Sequence, residues 1–331
     1  MAYTGSATTG TGMASLMPIF YEKVALERLL AELVLYKLAT KKAVPRSSGK
    51  TVYFHRYFNM STTVSAHALT EGTAPTQGLT SATVVSATLI QYGHNVSTSD
   101  LLEMTAVSDV VKDAMELCGD QAGQIIDKKV FEVAYGCSAG TDTPPTGAGF
   151  PIQYGNTAGV TVNTLSTLTS AHALTGAGVR AAVKEMRRLN VKPLSGGYYA
   201  MVMHPYTWNS LQGDSEWQSA YEYTDPQSMR DGKLAKFGGV EFYSSTNVTM
   251  SASGTGAANT TSAYFSVLLG QGGLGVTEID GNFKTYFVPA SAPDHGNPLQ
   301  QYSTIGWKAT FVPVTLNASC GRIVATADAG A

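Results

Sequence analysis

The glycine-rich run at residues 270–275, Gly-Gln-Gly-Gly-Leu-Gly, has the spacing of a dinucleotide-binding turn. In that motif the glycines open a helix whose N-terminus meets the pyrophosphate. Asp294 also lies about as far beyond the run as the acidic residue that binds the ribose in such proteins. The residues that follow, 276–279, are β-prone, so the pattern predicts a second strand where the motif needs a helix. We therefore expect a hairpin turn at residues 270–275 and no bound cofactor.

A second candidate for phosphate chemistry is the segment Ser48, Gly49, Lys50 and Thr51, which resembles the end of a P-loop. The first glycine of that motif is missing, because Val44 stands in its place. An aromatic, β-prone segment follows Thr51, whereas a P-loop leads into a helix. The segment therefore predicts a strand and no nucleotide site.

Histidines and cysteines form no pattern that predicts a metal or a nucleophile. None of the six histidines pairs at i,i+4 spacing, and zinc-type Cys/His spacing and a G-x-S-x-G elbow are both missing. Cys118 and Cys137 fall on one predicted helix, roughly 28 Å apart, and so cannot bridge each other within one chain. We expect no catalytic residue, metal or cofactor. A catalytic triad whose members are distant in sequence and meet only in the folded chain is left open.

The composition indicates a chain whose surface is largely covered by partners. Charged residues make up 14% of the sequence, against about 25% in a typical globular domain, and charge is depleted where surface becomes interface. A secreted or surface β-rich adhesin or fibre protein would be similar in this respect. The net charge of −2 and the lack of a Lys/Arg run argue against a dedicated nucleic-acid binder.

The first half of the chain alternates helix and strand. Residues 1–17 are predicted to form a flexible arm, and the leucines of residues 26–38 indicate a helix, whose six charged residues in 19–38 exclude a membrane span. Residues 51–58 and 81–92 predict two strands that project as a hairpin with a turn-rich tip. The next signal is a helix of about 35 residues, which runs from an N-cap at Ser99 and Asp100, with Glu103 at capping-box spacing, to Gly136.

The second half mixes helices and strands, so the fold class is α+β. Residues 138–172 predict a loop, and Thr175 is placed to cap a helix that extends to about residue 189. Residues 212–239 are polar and turn-rich. Further strands are predicted at residues 198–203, 240–243, 263–269, 310–314 and 322–325, with a short helix at 206–211.

Four short segments, in this order and spacing, resemble the major capsid proteins of tailed bacteriophages, in the branch of the N4-like podoviruses. They are residues 49–56 (Gly-Lys-Thr-Val-Tyr-Phe-His-Arg), 69–75 (Leu-Thr-Glu-Gly-Thr-Ala-Pro), 91–93 with 99–100 (Gln-Tyr-Gly, then Ser-Asp), and 232–240 (Gly-Lys-Leu-Ala-Lys-Phe-Gly-Gly-Val). The resemblance implies the Hong Kong 97-type (HK97-like) shell fold. Its parts would be an N-terminal arm and helix (1–49), an extended β-hairpin called the E-loop (50–98), a P domain with a long spine helix (99–174), an A domain (175–300), and C-terminal strands that return to the P domain (301–331).

On this resemblance the chain is expected to assemble with itself as hexamers and pentamers into an icosahedral shell around double-stranded DNA. Portal and scaffolding proteins, and a decoration protein, are the further partners expected. Weak nonspecific contact with the packaged DNA is also expected, with no membrane partner. The protein would reside in the virion after assembly in the cytoplasm of a bacterial host. Residues 51–98 contain no lysine, so the covalent cross-linking of the best-known member is not expected.

Two sets of residues are candidates for contacts in such a shell. Glu71, at the hairpin tip, is a candidate for an ion pair between subunits, and Arg46, Lys50 and Arg56 at the hairpin base are candidate partners or anchors. For each, a solvated surface position is the competing interpretation. Candidates for facing the genome lie on the predicted helix after Thr175: Arg180, Lys184, Arg187 and Arg188.

Overall fold

The computed structural model of the chain describes residues 16–44, 49–58, 60, 67–69, 71–72, 80–106, 109–136, 149–154, 168, 172–224, 236–248, 250–251, 263–278, 283–290 and 299–327. Residues 1–15 of the predicted arm, Arg46 and Cys137 lie outside these residues, as does most of the predicted loop at 138–172, whereas Leu16 and Met17, predicted in the arm, begin the first helix. The helices are α1 (Leu16–Glu32), α2 (Leu35–Leu38), α3 (Asp100–Thr105), α4 (Val110–Tyr135), α5 (Gly176–Arg188), α6 (Pro205–Gln212) and α7 (Ser215–Thr224).

Strands alternate with these helices along the chain. They are β1 (Thr40–Lys42), β2 (Thr51–Tyr57), β3 (Ala82–Thr88), β4 (Ile90–Ser99), β5 (Ile152–Tyr154), β6 (Tyr199–Met203), β7 (Lys236–Phe237), β8 (Val240–Ser244), β9 (Met250–Ser251), β10 (Ala263–Leu269), β11 (Leu274–Thr277), β12 (Phe283–Val288), β13 (Tyr302–Phe311), β14 (Pro313–Thr315) and β15 (Gly321–Ala327). Among the described helices, none is long and apolar enough to cross a membrane.

Helices α1 and α4 pack closely because α4 presents glycine at the contact. A Cβ atom at Gly119 would lie 2.8 Å from the carbonyl oxygen of Ala25, and one at Gly123 would lie 2.7 Å from Cβ of Glu32. Leu29, on the predicted leucine stripe of α1, is buried there. Leu30, also assigned to that stripe, is exposed instead. The close approach therefore depends on the small residues of α4 as well as on the leucines.

The helix predicted from Ser99 to Gly136 is two helices in the structure. Helix α3 ends in an extended residue, Ala106, and α4 begins with its own cap, in which the Asp109 side chain accepts a hydrogen bond from the backbone N–H of Lys112 at 3.2 Å. The prediction of a single helix was wrong because Asp109 provides a second N-cap within one continuous apolar pattern. The predicted ends are confirmed, since the Ser99 hydroxyl caps α3 and Gly136 adopts a left-handed conformation, with φ of 70°.

Two predicted caps differ from those in the structure. Glu103 does not form the capping box, because its carboxylate accepts a hydrogen bond from the Ser303 hydroxyl. At the start of α5 it is Asp214, not Thr175, whose carboxylate accepts the hydrogen bond from the backbone N–H of Gly176, at 2.7 Å. In both cases a residue distant in sequence competes with the local interaction.

A seven-stranded sheet in the order β5-β15-β10-β6-β8-β7, with β9 beside β10, separates two cores. Every residue of β6 and β10 is buried, as expected for central strands covered on both faces. Val202 and Phe265 face the core built with α1 and α4. Met201 faces the core built with α5, α6 and α7. The last of these helices, α7, occupies part of the segment predicted as turn-rich (212–239), and that prediction was wrong there.

The predicted second strand of the hairpin is divided at Leu89 between two sheets. Strand β3 pairs antiparallel with β2, from Thr51 opposite Thr88 to Tyr57 opposite Ala82. Strand β4 instead joins a three-stranded sheet in the order β12-β13-β4, against which α4 packs. The paired hairpin is therefore confirmed, but its second strand continues directly into the body of the subunit.

Candidate assembly surfaces

The glycine-rich run does not have the structure of a dinucleotide site. It connects β10, in the seven-stranded sheet, to β11, which pairs with β1 and β14 in a separate sheet. Gly272 has a φ of 77°, and the backbone N–H of Gly270 donates to the carbonyl of Cys320 at 2.8 Å. A strand follows where a helix N-terminus would be needed. The expected turn is therefore confirmed, but it links two sheets and is not a hairpin.

The described residues contain no group of three or more His, Cys, Asp or Glu side chains that could hold a metal ion. Cys118 is buried and Cys320 is half-buried, and burial raises the pKa of both thiols. A raised pKa keeps a thiol protonated and poorly nucleophilic. His204 stacks on the rings of Tyr206 and Tyr264, at centroid distances of 5.3 and 4.8 Å, and the two tyrosine rings also contact each other at 5.8 Å. These residues have packing roles.

The hairpin β2–β3 has one anchored face and one free face. On the anchored face Val52 and Phe54 are buried, and the ammonium of Lys42 lies 5.4 Å from the centre of the Phe54 ring. The same ammonium donates a hydrogen bond to the carbonyl of Tyr53. On the other face Tyr53 and Tyr57 are exposed, the latter by 71%. The subunit thus holds the hairpin by one side and leaves an aromatic side uncovered.

Of the candidate residues of the hairpin, the structure describes Glu71, Lys50 and Arg56, and these form no ion pair with one another. Glu71 is exposed in a turn with Gly72, whose φ is 78°. Lys50 is exposed at the base, and the guanidinium of Arg56 stacks 4.9 Å from the centre of the Phe58 ring. Arg56 is therefore engaged with a neighbour on its own strand, whereas Glu71 has no partner among the described residues of its own chain.

The four cations of α5 differ in their surroundings. Arg180 pairs with Glu216 at 2.7 Å, which raises the pKa of the guanidinium, and Arg188 pairs with Glu185 at 2.8 Å, which lowers the pKa of that carboxyl. The guanidinium of Arg187 lies against Gly239 and bonds the Tyr199 hydroxyl. Lys184 is exposed. Three of the four cations are thus engaged within the subunit, which the sequence pattern of α5 alone did not indicate.

Two further surfaces were not predicted from the sequence. Helix α3 buries none of its residues and exposes Leu101, Leu102 and Met104. The outer face of the sheet β12-β13-β4 forms a groove of about 360 Å³ beside Tyr286, Trp307 and Lys308. The alternation of Phe283, Thr285 and Phe287 with Lys284, Tyr286 and Val288 is the sequence signal that could have identified this strand.

Comparison with known proteins gives one family and a set of related folds. A family model described as phage capsid protein matches residues 82–320. No curated protein matches the sequence. Among solved structures, the capsid of Ralstonia phage GP4 is 15% identical, with 88% of this chain and 87% of that chain covered and a TM-score of 0.66. The cyanophage Pam1 capsid is 12% identical, with coverage of 100% and 97% and a TM-score of 0.65. The cyanophage P-SCSP1u capsid is 17% identical, with coverage of 89% and 88% and a TM-score of 0.61.

Proposed function

The chain belongs to the phage capsid protein family, and from this premise we propose how its surfaces build a shell. The protein is a major capsid protein that forms the shell of a phage particle, and its α+β architecture is the HK97-like capsid fold. Its family is one of structural proteins. The role proposed for it is therefore self-assembly, with no catalytic activity of its own.

The two-sided hairpin is the observation that carries the proposed mechanism. A two-stranded hairpin alone is marginally stable in water, so it gains stability when its free face is covered. Tyr53 and Tyr57 lie on this face on either side of His55 and its cross-strand partner Val84, which is also exposed, and exposed apolar patches mark interaction sites. We propose that the β2–β3 hairpin of the E-loop (50–98) lies over an adjacent subunit, whereas the last strand of that segment, β4, stays paired with β13 in its own subunit. The contact is non-covalent, because residues 51–98 offer no lysine for a cross-link.

The remaining parts of the subunit are proposed in chain order. Residues 1–49 form the N-terminal arm and helix, residues 99–174 the P domain with α4 as its spine, and residues 175–300 the A domain. The C-terminal strands, 301–331, return to the P domain, a proposal supported by the pairing of β15 with β5 as well as with β10 of the A domain. Continuous sheets across these boundaries support a subunit that moves into the shell as one body.

In the proposed shell the same subunit occupies rings of five and six. Many weak contacts then act together, so a closed particle is stable even though each contact is modest. Portal, scaffolding and decoration proteins are the proposed further partners, with weak contact to packaged double-stranded DNA. Assembly in the cytoplasm of a bacterial host, and membership of the N4-like podovirus branch, are part of the same proposal.

Negative-stain microscopy and sedimentation of the purified chain test this proposal. Closed particles of hexagonal outline, or rings of five and six subunits, are expected, with the chain alone or with host lysate. The alternative of a β-rich adhesin or fibre predicts elongated trimers. A stable monomer or dimer under all of these conditions would contradict the proposed assembly.

A further inference from the structure

Lys284 and Lys308 stand directly opposite each other in the antiparallel register of β12 and β13, and both are exposed. Like charges that face each other across a strand pair destabilise a sheet. Within the part of the chain that the structure describes, neither lysine forms an ion pair. The Lys308 ammonium lies 5.6 Å from the centre of the Tyr286 ring. Among the described residues, this pair of cations therefore has no carboxylate partner.

The surface beside the two lysines is a shallow groove with a floor of bare backbone. Gly306 and Gly93 lie on this face, where a Cβ atom at Gly93 would stand 2.7 Å from the carbonyl oxygen of Trp307. The half-exposed side chains of Tyr286 and Val288 continue the outer face of β12 away from the lysines. The groove of about 360 Å³ thus has an apolar end at Tyr286 and Val288 and a basic end at Lys308, and Lys284 stands opposite Lys308 just beyond its lining.

The tip of the hairpin carries the complementary pair of chemistries. Glu71 is the only acidic residue in residues 50–98 and is exposed. Leu69, two positions earlier, is exposed by 77%. Many other described carboxylates already have partners in their own chain, such as Glu116 with Arg28 and Glu216 with Arg180. The tip therefore offers an apolar group and a free carboxylate at short spacing.

We propose that the groove on the outer face of β12, β13 and β4 binds the hairpin tip of a second copy of this chain. The carboxylate of Glu71 lies between Lys284 and Lys308, and Leu69 contacts Tyr286 and Val288. A carboxylate there relieves the repulsion between the two ammonium groups and gains charge-assisted hydrogen bonds. This inference rests on the proposed overlap of the β2–β3 hairpin with an adjacent subunit, and it names the place where the hairpin tip binds.

Charge exchange in full-length protein tests the pairing. We expect Glu71→Lys, and separately Lys284→Glu with Lys308→Glu, to raise the subunit concentration needed for assembly by about tenfold, as expected when one charge-assisted hydrogen bond is removed. The variant with all three changes should assemble close to the wild-type concentration. The matched control combines Glu71→Lys with Lys184→Glu, which reverses the charge of an exposed lysine on α5 instead of the two lysines on β12 and β13. Assembly should not recover in this control.

Co-expression separates a contact between chains from one within a chain. The Glu71→Lys chain and the Lys284→Glu, Lys308→Glu chain should assemble together although each is defective alone. Recovery in the triple variant without recovery on co-expression would place the pair within one chain and overturn the inference. The milder changes Glu71→Gln and Lys308→Gln, made singly and together, form a double-mutant cycle. Their effects on the concentration needed for assembly should not add, and additive effects would also overturn the inference.

The outcomes distinguish this inference from the proposed function. If wild-type protein never forms shells, the proposed function fails. If shells form but Glu71→Ala leaves particle yield and heat resistance unchanged, only the docking site fails. Nucleic acid is the competing occupant of the two lysines. It would be indicated if Lys284→Glu with Lys308→Glu leaves assembly intact but lowers the nuclease-protected DNA per particle, and that result would overturn the docking site.

Discussion

Asp127, on α4, accepts a hydrogen bond from the backbone N–H of Tyr36 at a distance of 3.1 Å. Its carboxylate also bonds the backbone of Leu35 and Val34, at the start of α2, and the side-chain amide of Asn247. One buried carboxylate thus ties the N-terminal helices and the loop after β8 to the long helix. Burial nevertheless outweighs these bonds and raises the pKa of Asp127 from 3.8 to about 6.

The raised pKa of Asp127 predicts a specific pH dependence of subunit stability. Because the folded pKa exceeds the unfolded one, the folded state binds the proton more tightly, and the free energy of unfolding falls as pH rises from about 4 to 6. The difference corresponds to about 3 kcal/mol. Asp127→Asn removes this titration, so the variant should gain about that amount relative to wild type between pH 4 and pH 7. Urea unfolding of the unassembled subunit measures it.

The control for Asp127 is Asp120→Asn, which changes a half-exposed carboxylate on the same helix that lies 3.9 Å from Arg28. That variant should not reproduce the pH-dependent gain. Wild-type and Asp127→Asn stability curves that run parallel from pH 4 to pH 7 would contradict the role assigned to Asp127.

The contact between α1 and α4 predicts that alanine is destabilising at Gly119. An added methyl group would lie 2.8 Å from a backbone oxygen of α1, which cannot move without shifting the helix. Overpacking of this kind costs about 1–3 kcal/mol, partly offset by the better helix propensity of alanine, about 1 kcal/mol. We expect a net loss of up to about 2 kcal/mol in the free energy of unfolding, measured by urea denaturation.

Gly213 provides the comparison for Gly119. It lies at the end of α6 with a φ of −74°, and an added Cβ would meet its nearest neighbour at 3.4 Å, an ordinary contact. Gly213→Ala should therefore be neutral or stabilise the subunit by up to about 1 kcal/mol. Equal losses at the two positions would show that the α1–α4 contact is not the cause.

Local patterns in the sequence predict the elements well where a single interaction decides them. The β-prone run at residues 51–57, the caps at Ser99 and Gly136 and the buried strand β6 all appear in the structure. The failures arise where distant residues compete. Arg28 stands four residues before Glu32, a spacing typical of ion pairs along a helix, yet it bonds Glu116 on α4 at 2.6 Å. No local pattern contains that partner.

The same limit applies to the candidate surfaces. The isolated carboxylate of Glu71 could be predicted, because the absence of other acids from residues 50–98 is a property of the sequence. The opposition of Lys284 and Lys308 could not, since it depends on the register between β12 and β13. Likewise, the four cations on α5 form one basic stripe in the sequence, and only the packing of α7 brings Glu216 to Arg180.

The free face of the hairpin predicts that Tyr57→Ser impairs assembly without unfolding the subunit. Tyr57 is exposed by 71%, so its loss should change the free energy of unfolding by less than about 0.5 kcal/mol. At an interface, however, a buried tyrosine can contribute about 2 kcal/mol, which corresponds to roughly a thirtyfold rise in the concentration needed for assembly. Light scattering during assembly, together with urea unfolding, measures both quantities.

Phe54→Ser is the matched change on the anchored face of the same strand. Phe54 is 5% exposed, and truncation of a buried aromatic residue costs about 3–5 kcal/mol, so this variant should lose subunit stability before assembly is tested. If Tyr57→Ser assembles like wild type, the free face of the hairpin does not contact a neighbour.

The engagement of three α5 cations within the subunit predicts that this helix has little effect on genome retention. Lys184 is the one whose charge is free among the described residues, whereas Arg188 is paired with Glu185. Exposed ion pairs contribute about 0–1 kcal/mol, so Lys184→Gln and Arg188→Gln should each leave subunit stability nearly unchanged.

The effect on DNA should also be small. Removing a single lysine–phosphate interaction from each subunit changes the slope of log binding constant against log salt concentration by only about one. Nuclease-protected DNA per particle should therefore fall by less than about twofold for Lys184→Gln and not at all for Arg188→Gln. A large loss of DNA from Arg188→Gln particles would mean that the pair with Glu185 opens toward the genome, and α5 would then be a DNA-binding surface of the shell.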